Sequence, residues 1–183
     1  MGFALVVSAL ILAAAVCAIP PETHGPRLHS PAPALVGTST AGALVDLSTL
    51  RGRPVLVDFF ATWCPPCVAI APAVTRASET FSPRGLATIS VSLDGPRTVA
   101  KLGPFMIKHG ITWPVIRLSD GFKSPVFADW RLRGIPGLFL VGPDGTIASP
   151  DLVGDDADDT FRRIARAFND VDRSLPRAAQ VAP

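Results

Sequence analysis

The stretch VLVDFFATWCPPCVAIAP, residues 55–72, decides how the rest of the chain is read. Val55–Phe60 is an apolar run broken by one carboxylate, Asp58, and such runs mark central strands covered on both faces. Cys64 and Cys67 follow, separated by Pro65 and Pro66. Beyond them Ile70, Val74, Ala77 and Phe81 recur at i, i+4, i+7 and i+11, the apolar stripe of a helix. The stretch therefore reads as strand, turn, helix, with the cysteines where the helix begins.

Three chemistries use a Cys-x-x-Cys pair. A structural zinc site needs about four protein ligands, and the chain has no second Cys-x-x-Cys and no His-x-x-x-His. A structural disulfide closing so short a loop removes little unfolded-state entropy and makes a poor staple. A redox-active dithiol fits the flanking residues best. At a helix N-terminus, unpaired amide N–H groups and the macrodipole favour a thiolate on Cys64. Cys67 lies one turn further on, faces the same way and can attack a mixed disulfide. Pro65 and Pro66 fall in the first turn, where a missing N–H costs least, and they stiffen the loop.

The chain has 183 residues, enough for one domain with a buried core and a further segment. Only 17% of residues are charged and the net charge is +2, with no basic run or basic–aromatic patch, so nucleic acid is not an expected partner. Phe3–Ile19 carries no charge and stops at Pro20-Pro21. That reads as a membrane anchor or signal peptide over residues 1–19, with Ala18 a possible cleavage point and export implied either way. Cys17, inside it, is read as a small apolar residue. Residues 20–33 are rich in proline and polar groups and read as a linker holding His24 and His29. The domain is expected over residues 34–172, with a flexible tail over 173–183.

Within the domain, residues 34–54 suggest a hairpin turning near Thr40-Ala41-Gly42. LATISVSL reads as a second buried strand, and residues 97–110 as a helix that Gly103-Pro104 kinks or interrupts. TWPVI is short and extended, SPVFADWRL a helical turn or two, GLFLVG a strand, PDGT a turn and IAS its return partner. A last helix opens on Asp155, Asp156, Asp158 and Asp159 and carries Arg162, Arg163 and Arg166 later, as the helix dipole favours. The fold class is α/β, a mixed sheet with helices on both faces.

VDFFATWCPPC followed by IAP resembles the active-site stretch of thioredoxin-fold proteins. With the lead-in LSTLRGRPVLVDFFATWC and the apolar N-terminus, the chain resembles the TlpA/ResA-like branch of thiol–disulfide oxidoreductases over residues 33–170. The resemblance implies a thioredoxin-like fold with an N-terminal hairpin, a central mixed sheet flanked by helices, and an insertion at 94–113 between its halves. It makes Cys64 the nucleophile, Cys67 the resolving thiol, Trp63 the shielding aromatic and Pro72 the proline of the first helix. In RGIPGLFLVGPDG it places a cis-proline at Pro136, so that Ile135 backbone and Pro136, with Trp63, Pro65 and Pro66, face the substrate. Gly137 stands where many relatives have Thr or Glu, which leaves that groove barer.

Asp58 falls where many thioredoxins keep a buried acid. Desolvation raises the pKa of such a group, which can then take the proton of Cys67; the alternative is a structural hydrogen bond to loop backbone. Asp94 is either a second functional acid or the turn at a strand end. His109 reads as a helix-end residue, and Trp113 and Trp130 as core or rim packing. No flavin or nucleotide motif is present, so the expected redox group is the dithiol itself, with no metal. The implied activity is disulfide exchange with exported proteins outside the cytoplasm, fed by a membrane electron donor, with cytochrome c or other exported-protein maturation as candidate tasks. The alternative is a non-catalytic, membrane-anchored binding module, against which the intact Trp-Cys-Pro-Pro-Cys argues. A peroxiredoxin-like peroxidase lacks a second peroxidatic motif.

Overall fold

The computed structural model describes residues 24–175. The apolar segment at 1–19 with Cys17, the first part of the 20–33 stretch and the end of the tail lie outside those residues. The elements in order are β1 (Val36–Thr38), β2 (Leu44–Asp46), β3 (Val55–Phe60), α1 (Pro65–Phe81), β4 (Ala87–Ser92), α2 (Leu102–Lys108), β5 (Val115–Arg117), α3 (Pro125–Asp129), β6 (Gly137–Val141), β7 (Ile147–Ser149) and α4 (Ala157–Ser174).

Five strands form one sheet in the order β5-β4-β3-β6-β7. β3 pairs in parallel with β4, and β4 with β5, so helical crossovers are required, supplied by α1 and α2. β6 runs antiparallel to β3 and β7 antiparallel to β6. β3 is thus the central strand, and all six of its residues are buried. That is why its sequence is a continuous apolar run. Leu56 packs with Val74 and Phe81 of α1 and Ile164 and Phe168 of α4, while Phe59 meets Trp130 and Phe139 on the opposite face. This is the thioredoxin-like architecture, with β1 and β2 as a separate N-terminal antiparallel pair joined to β5 through Ser39 and Ile116. Among the described residues no helix is long and apolar enough to cross a membrane.

Three stretches differ from the sequence reading. Residues 97–110 are not one kinked helix: a 3-10 turn at Val99–Lys101 precedes α2. Pro104 then sits in the first turn of α2, where its missing N–H has no helical partner to lose. Second, the described part of the linker stretch is bonded to the domain. Gly25 N–H donates to Arg131 O, His29 N–H to Ile147 O, Ala32 N–H to Gly145 O, and Ile147 N–H to Ser30 O. The two bonds to Ile147 cover the outer edge of β7, whose backbone groups would otherwise stand unpaired. Third, α4 continues past Arg173 to Ser174, its last turn held by Arg173 to Asp170 and to Asn169 O.

Candidate active site

β3 ends at Phe60 and α1 begins at Pro65, so the turn between them delivers Cys64 to the N-cap of α1. Cys64 and Cys67 are bridged, with Sγ–Sγ 2.09 Å. The N–H of Cys67 donates to Cys64 Sγ at 3.2 Å. In the reduced protein that N–H, with the positive end of α1 behind it, favours the thiolate on Cys64. Both cysteines are almost covered, whereas Trp63 is 43% exposed and meets Phe122 edge-on, ring centroids 6.0 Å apart. Pro65 and Pro66 are exposed beside it.

The Ile135–Pro136 peptide is cis, and Ile135 O lies 3.7 Å from Cys64 Sγ. The structure thus brings Trp63, the prolines, the dithiol and the 135–136 segment to one edge. Gly137 has a packing reason. A Cβ there would lie 2.7 Å from Leu132 Cδ2 and 3.2 Å from the Phe139 ring, so a larger residue must displace Leu132.

Asp58 lies inside β3, only 6% exposed, and burial pushes its pKa up to about 7 against the opposing hydrogen bond from Ser90. Ser90 Oγ donates to Asp58 Oδ2 at 3.0 Å. Asp58 and Cys67 line a common void of about 10 Å³, at the lower limit of the space one water occupies. A carboxyl that titrates near neutrality therefore stands on the buried side of the resolving thiol.

Asp94 is fully buried and does not reach the cysteines by any hydrogen bond described. Its Oδ2 accepts from Thr62 N–H at 3.0 Å and from Ser92 Oγ at 2.9 Å, and its Oδ1 accepts from Thr62 Oγ1 at 2.7 Å. It ties the strand end to the turn that carries Trp63 and Cys64. Parallel pairing of Phe60 with Ser92 sets the next residues but one, Thr62 and Asp94, side by side.

Ser90 was missed by sequence reasoning; its signal is the register that sets it opposite Asp58. Trp113 does more than pack, since its indole N–H donates to Ser90 Oγ at 2.8 Å. Trp130 is fully buried against Phe59 and Phe139. His109 closes α2 with its ring centroid 4.4 Å from that of Phe105 and tilted by 38°, and burial, then Lys108, lower its pKa. Pro72 lies within α1. His24 Nδ1 accepts from Arg133 N–H at 3.2 Å, and among the described residues no group of three or more His, Cys, Asp or Glu is placed to hold a metal ion.

The chain matches the AhpC/TSA family over residues 28–149, two thirds of its length. The chain belongs to the AhpC/TSA family. The thiol–disulfide oxidoreductase ResA of Bacillus subtilis is 30% identical over 118 residues, which cover 64% of this chain and 63% of the relative. ResA of Oceanobacillus iheyensis is 30% identical over 103 residues, covering 56% and 51%. The chain thus spans less than two thirds of the length of either relative. Among solved structures, the thioredoxin domain of a thiol–disulfide oxidoreductase from Bacteroides vulgatus superimposes with a TM-score of 0.68 at 26% identity, over 79% of this chain and 99% of that domain.

Proposed function

We propose that this AhpC/TSA-family protein is a thiol–disulfide oxidoreductase that exchanges disulfides with partner proteins through Cys64 and Cys67. The carrying observation is the bridged pair at the N-terminus of α1, with Cys67 N–H on Cys64 Sγ and Ile135 O beside it. The names of the ResA relatives support the same reading.

In the reduced protein the Cys64 thiolate attacks one sulfur of a partner disulfide, and the other partner sulfur leaves as a thiolate. Cys67 gives its proton to Asp58 and its sulfur attacks Cys64 Sγ. The Cys64–partner bond breaks, the second partner sulfur leaves, and the Cys64–Cys67 bridge forms. Two electrons have then passed to the partner. Trp63, Pro65 and Pro66 form the exposed rim that the partner meets, with Ile135 and Pro136 offering backbone beside the dithiol. The dithiol is the whole redox group in this scheme, and no other cofactor or metal is invoked.

The apolar, uncharged run Phe3–Ile19 supports an extracytoplasmic setting, with the domain tethered to the cytoplasmic membrane. Its partners there are exported proteins bearing thiols or disulfides, apocytochrome c among the candidates, and a membrane electron donor returns the bridge to the dithiol. Catalysed reduction of insulin by dithiothreitol tests the activity. Turnover that Cys64→Ser abolishes is the expected result; no turnover, with a reduced pair that resists alkylation, would overturn it.

A further inference from the structure

Asp58 carries two chemically equivalent oxygens, and proton transfer to Cys67 needs the right one to be available. The surroundings make them unequal. Oδ2 accepts from Ser90 Oγ at 3.0 Å, and Ser90 Oγ accepts from Trp113 Nε1–H at 2.8 Å. Oδ1 has no hydrogen-bond partner among the described residues. An indole N–H can only donate, and a serine hydroxyl has one proton. Ser90 accepts from Trp113 and gives its own proton to Asp58 Oδ2. The chain has one direction, from Trp113 through Ser90 to Oδ2.

We propose that Trp113 and Ser90 are positioning residues that commit Asp58 Oδ2 to accepting a hydrogen bond, and so leave Oδ1 as the oxygen that carries the transferable proton. This rests on the reading of Asp58 as the proton acceptor of Cys67. The sheet builds the chain across three neighbouring strands: Asp58 of β3 faces Ser90 of β4, Ser90 faces Val115 of β5, and Trp113 precedes Val115 by two residues. Ser90 is fully buried, so water does not compete for its hydroxyl.

The groups facing Asp58 leave few rivals. α1 contributes Cys67 across the void, α2 contributes Phe105, and Ile111 and Trp113 come from the approach to β5. From β6, Leu138 stands opposite in register. The His109 ring lies against that of Phe105, and its buried Nε2 has no hydrogen-bond partner among the described residues. Among the described residues lining the void, Cys67 is the only titratable group besides Asp58.

In resolution, the Cys67 S–H proton passes to Oδ1 directly or through one water. The sulfur forms its bond to Cys64 Sγ, the Cys64–partner bond breaks, and its electron pair leaves on the partner sulfur, which is protonated by water. In re-reduction Oδ1 returns the proton to Cys67. Without the indole N–H, Ser90 is a less polarised donor and its bond to the Asp58 carboxylate weakens, which favours the acid form.

The test is a carboxyl ¹³C NMR titration of Asp58 in the oxidised protein, with the pH profile of mixed-disulfide resolution as a second readout. Trp113→Phe keeps an aromatic ring and removes the N–H; both midpoints should rise by roughly half a unit to one unit. Ser90→Ala should raise them by about one unit, and Ser90→Thr should restore them. If Trp113→Phe fails to fold, the Ser90 pair carries the same comparison. A rate that falls equally at every pH, with unmoved midpoints, would mean the two residues only pack and would overturn the inference. Asp58→Asn separates the two levels. If it keeps the wild-type profile, the proton-acceptor reading fails and this inference with it. If it loses the inflection while Trp113→Phe and Ser90→Ala keep the wild-type midpoint, this inference alone is overturned.

Discussion

Asp58→Asn should stabilise the oxidised protein, and only at neutral and alkaline pH. The folded-state pKa is about 7, against 3.8 for an unperturbed aspartate, because burial disfavours the charge. Between those values the folded protein holds a proton that the unfolded chain has released. Stability therefore falls as pH rises from about 4 to about 7 and is level above that, the reverse of the usual carboxylate pattern. At about 1.4 kcal/mol per pKa unit, a shift of about three units amounts to about 4 kcal/mol at pH 8. That is a large share of the 5–15 kcal/mol that holds a typical domain together (order of magnitude). Asparagine is nearly isosteric, keeps an acceptor for Ser90 and carries no charge. Urea melts of the oxidised proteins at pH 4.5 and pH 8.5 read the difference without titration of Cys67. The variant should match the wild type within about 1 kcal/mol at the acid end and exceed it by up to about 4 kcal/mol, or about 10 °C in Tm, at the alkaline end. An offset of equal size at both pH values, or a loss of stability at pH 8.5, would refute the reasoning.

Asp94→Ala leaves the part-buried Thr62 N–H without its acceptor, which should cost about 1 kcal/mol in denaturant melts, and freeing the turn that presents Cys64 should slow disulfide exchange. Asp94→Asn, which keeps an acceptor, should lose less of both, so equal losses would count against the turn-holding role. Gly137→Thr should lower the thermal midpoint by displacing Leu132 while leaving thiol reactivity measurable, and an unchanged midpoint would mean the site relaxes freely. Trp63→Ala should weaken exchange with protein disulfides more than with a small disulfide such as oxidised glutathione, because Trp63 is exposed rim rather than core; equal losses would place its role at the sulfurs.

The strand, turn and helix around the dithiol were legible because their signals are local. The buried run of β3, the prolines at the start of α1 and the stripe of Ile70, Val74 and Phe81 all lie within one short window. The acids opening α4 were legible for the same reason, and Asp156 caps that helix by accepting from Asp159 N–H. What composition alone did not reveal depends on pairing between distant segments. The stretch at 24–32 has no period, yet it bonds β7 because that edge offers open backbone groups. Ser90 reaches Asp58 across 32 residues of chain and Trp113 reaches Ser90 across 23, through strand registers that no local pattern encodes. Asp94 is the intermediate case: its place after a strand was readable, but its grip on Thr62 needed the parallel register of β3 and β4.

The most direct test of the central claim is a partial-alkylation time course on the fully reduced protein, mapped by mass spectrometry at several pH values. The account predicts that Cys64 is modified first, with a thiol pKa well below the ordinary value of about 8.5, while Cys67 stays protected until Asp58 has lost its proton. Modification of Cys67 ahead of Cys64, or equal rates at both with an ordinary thiol pKa, would contradict it.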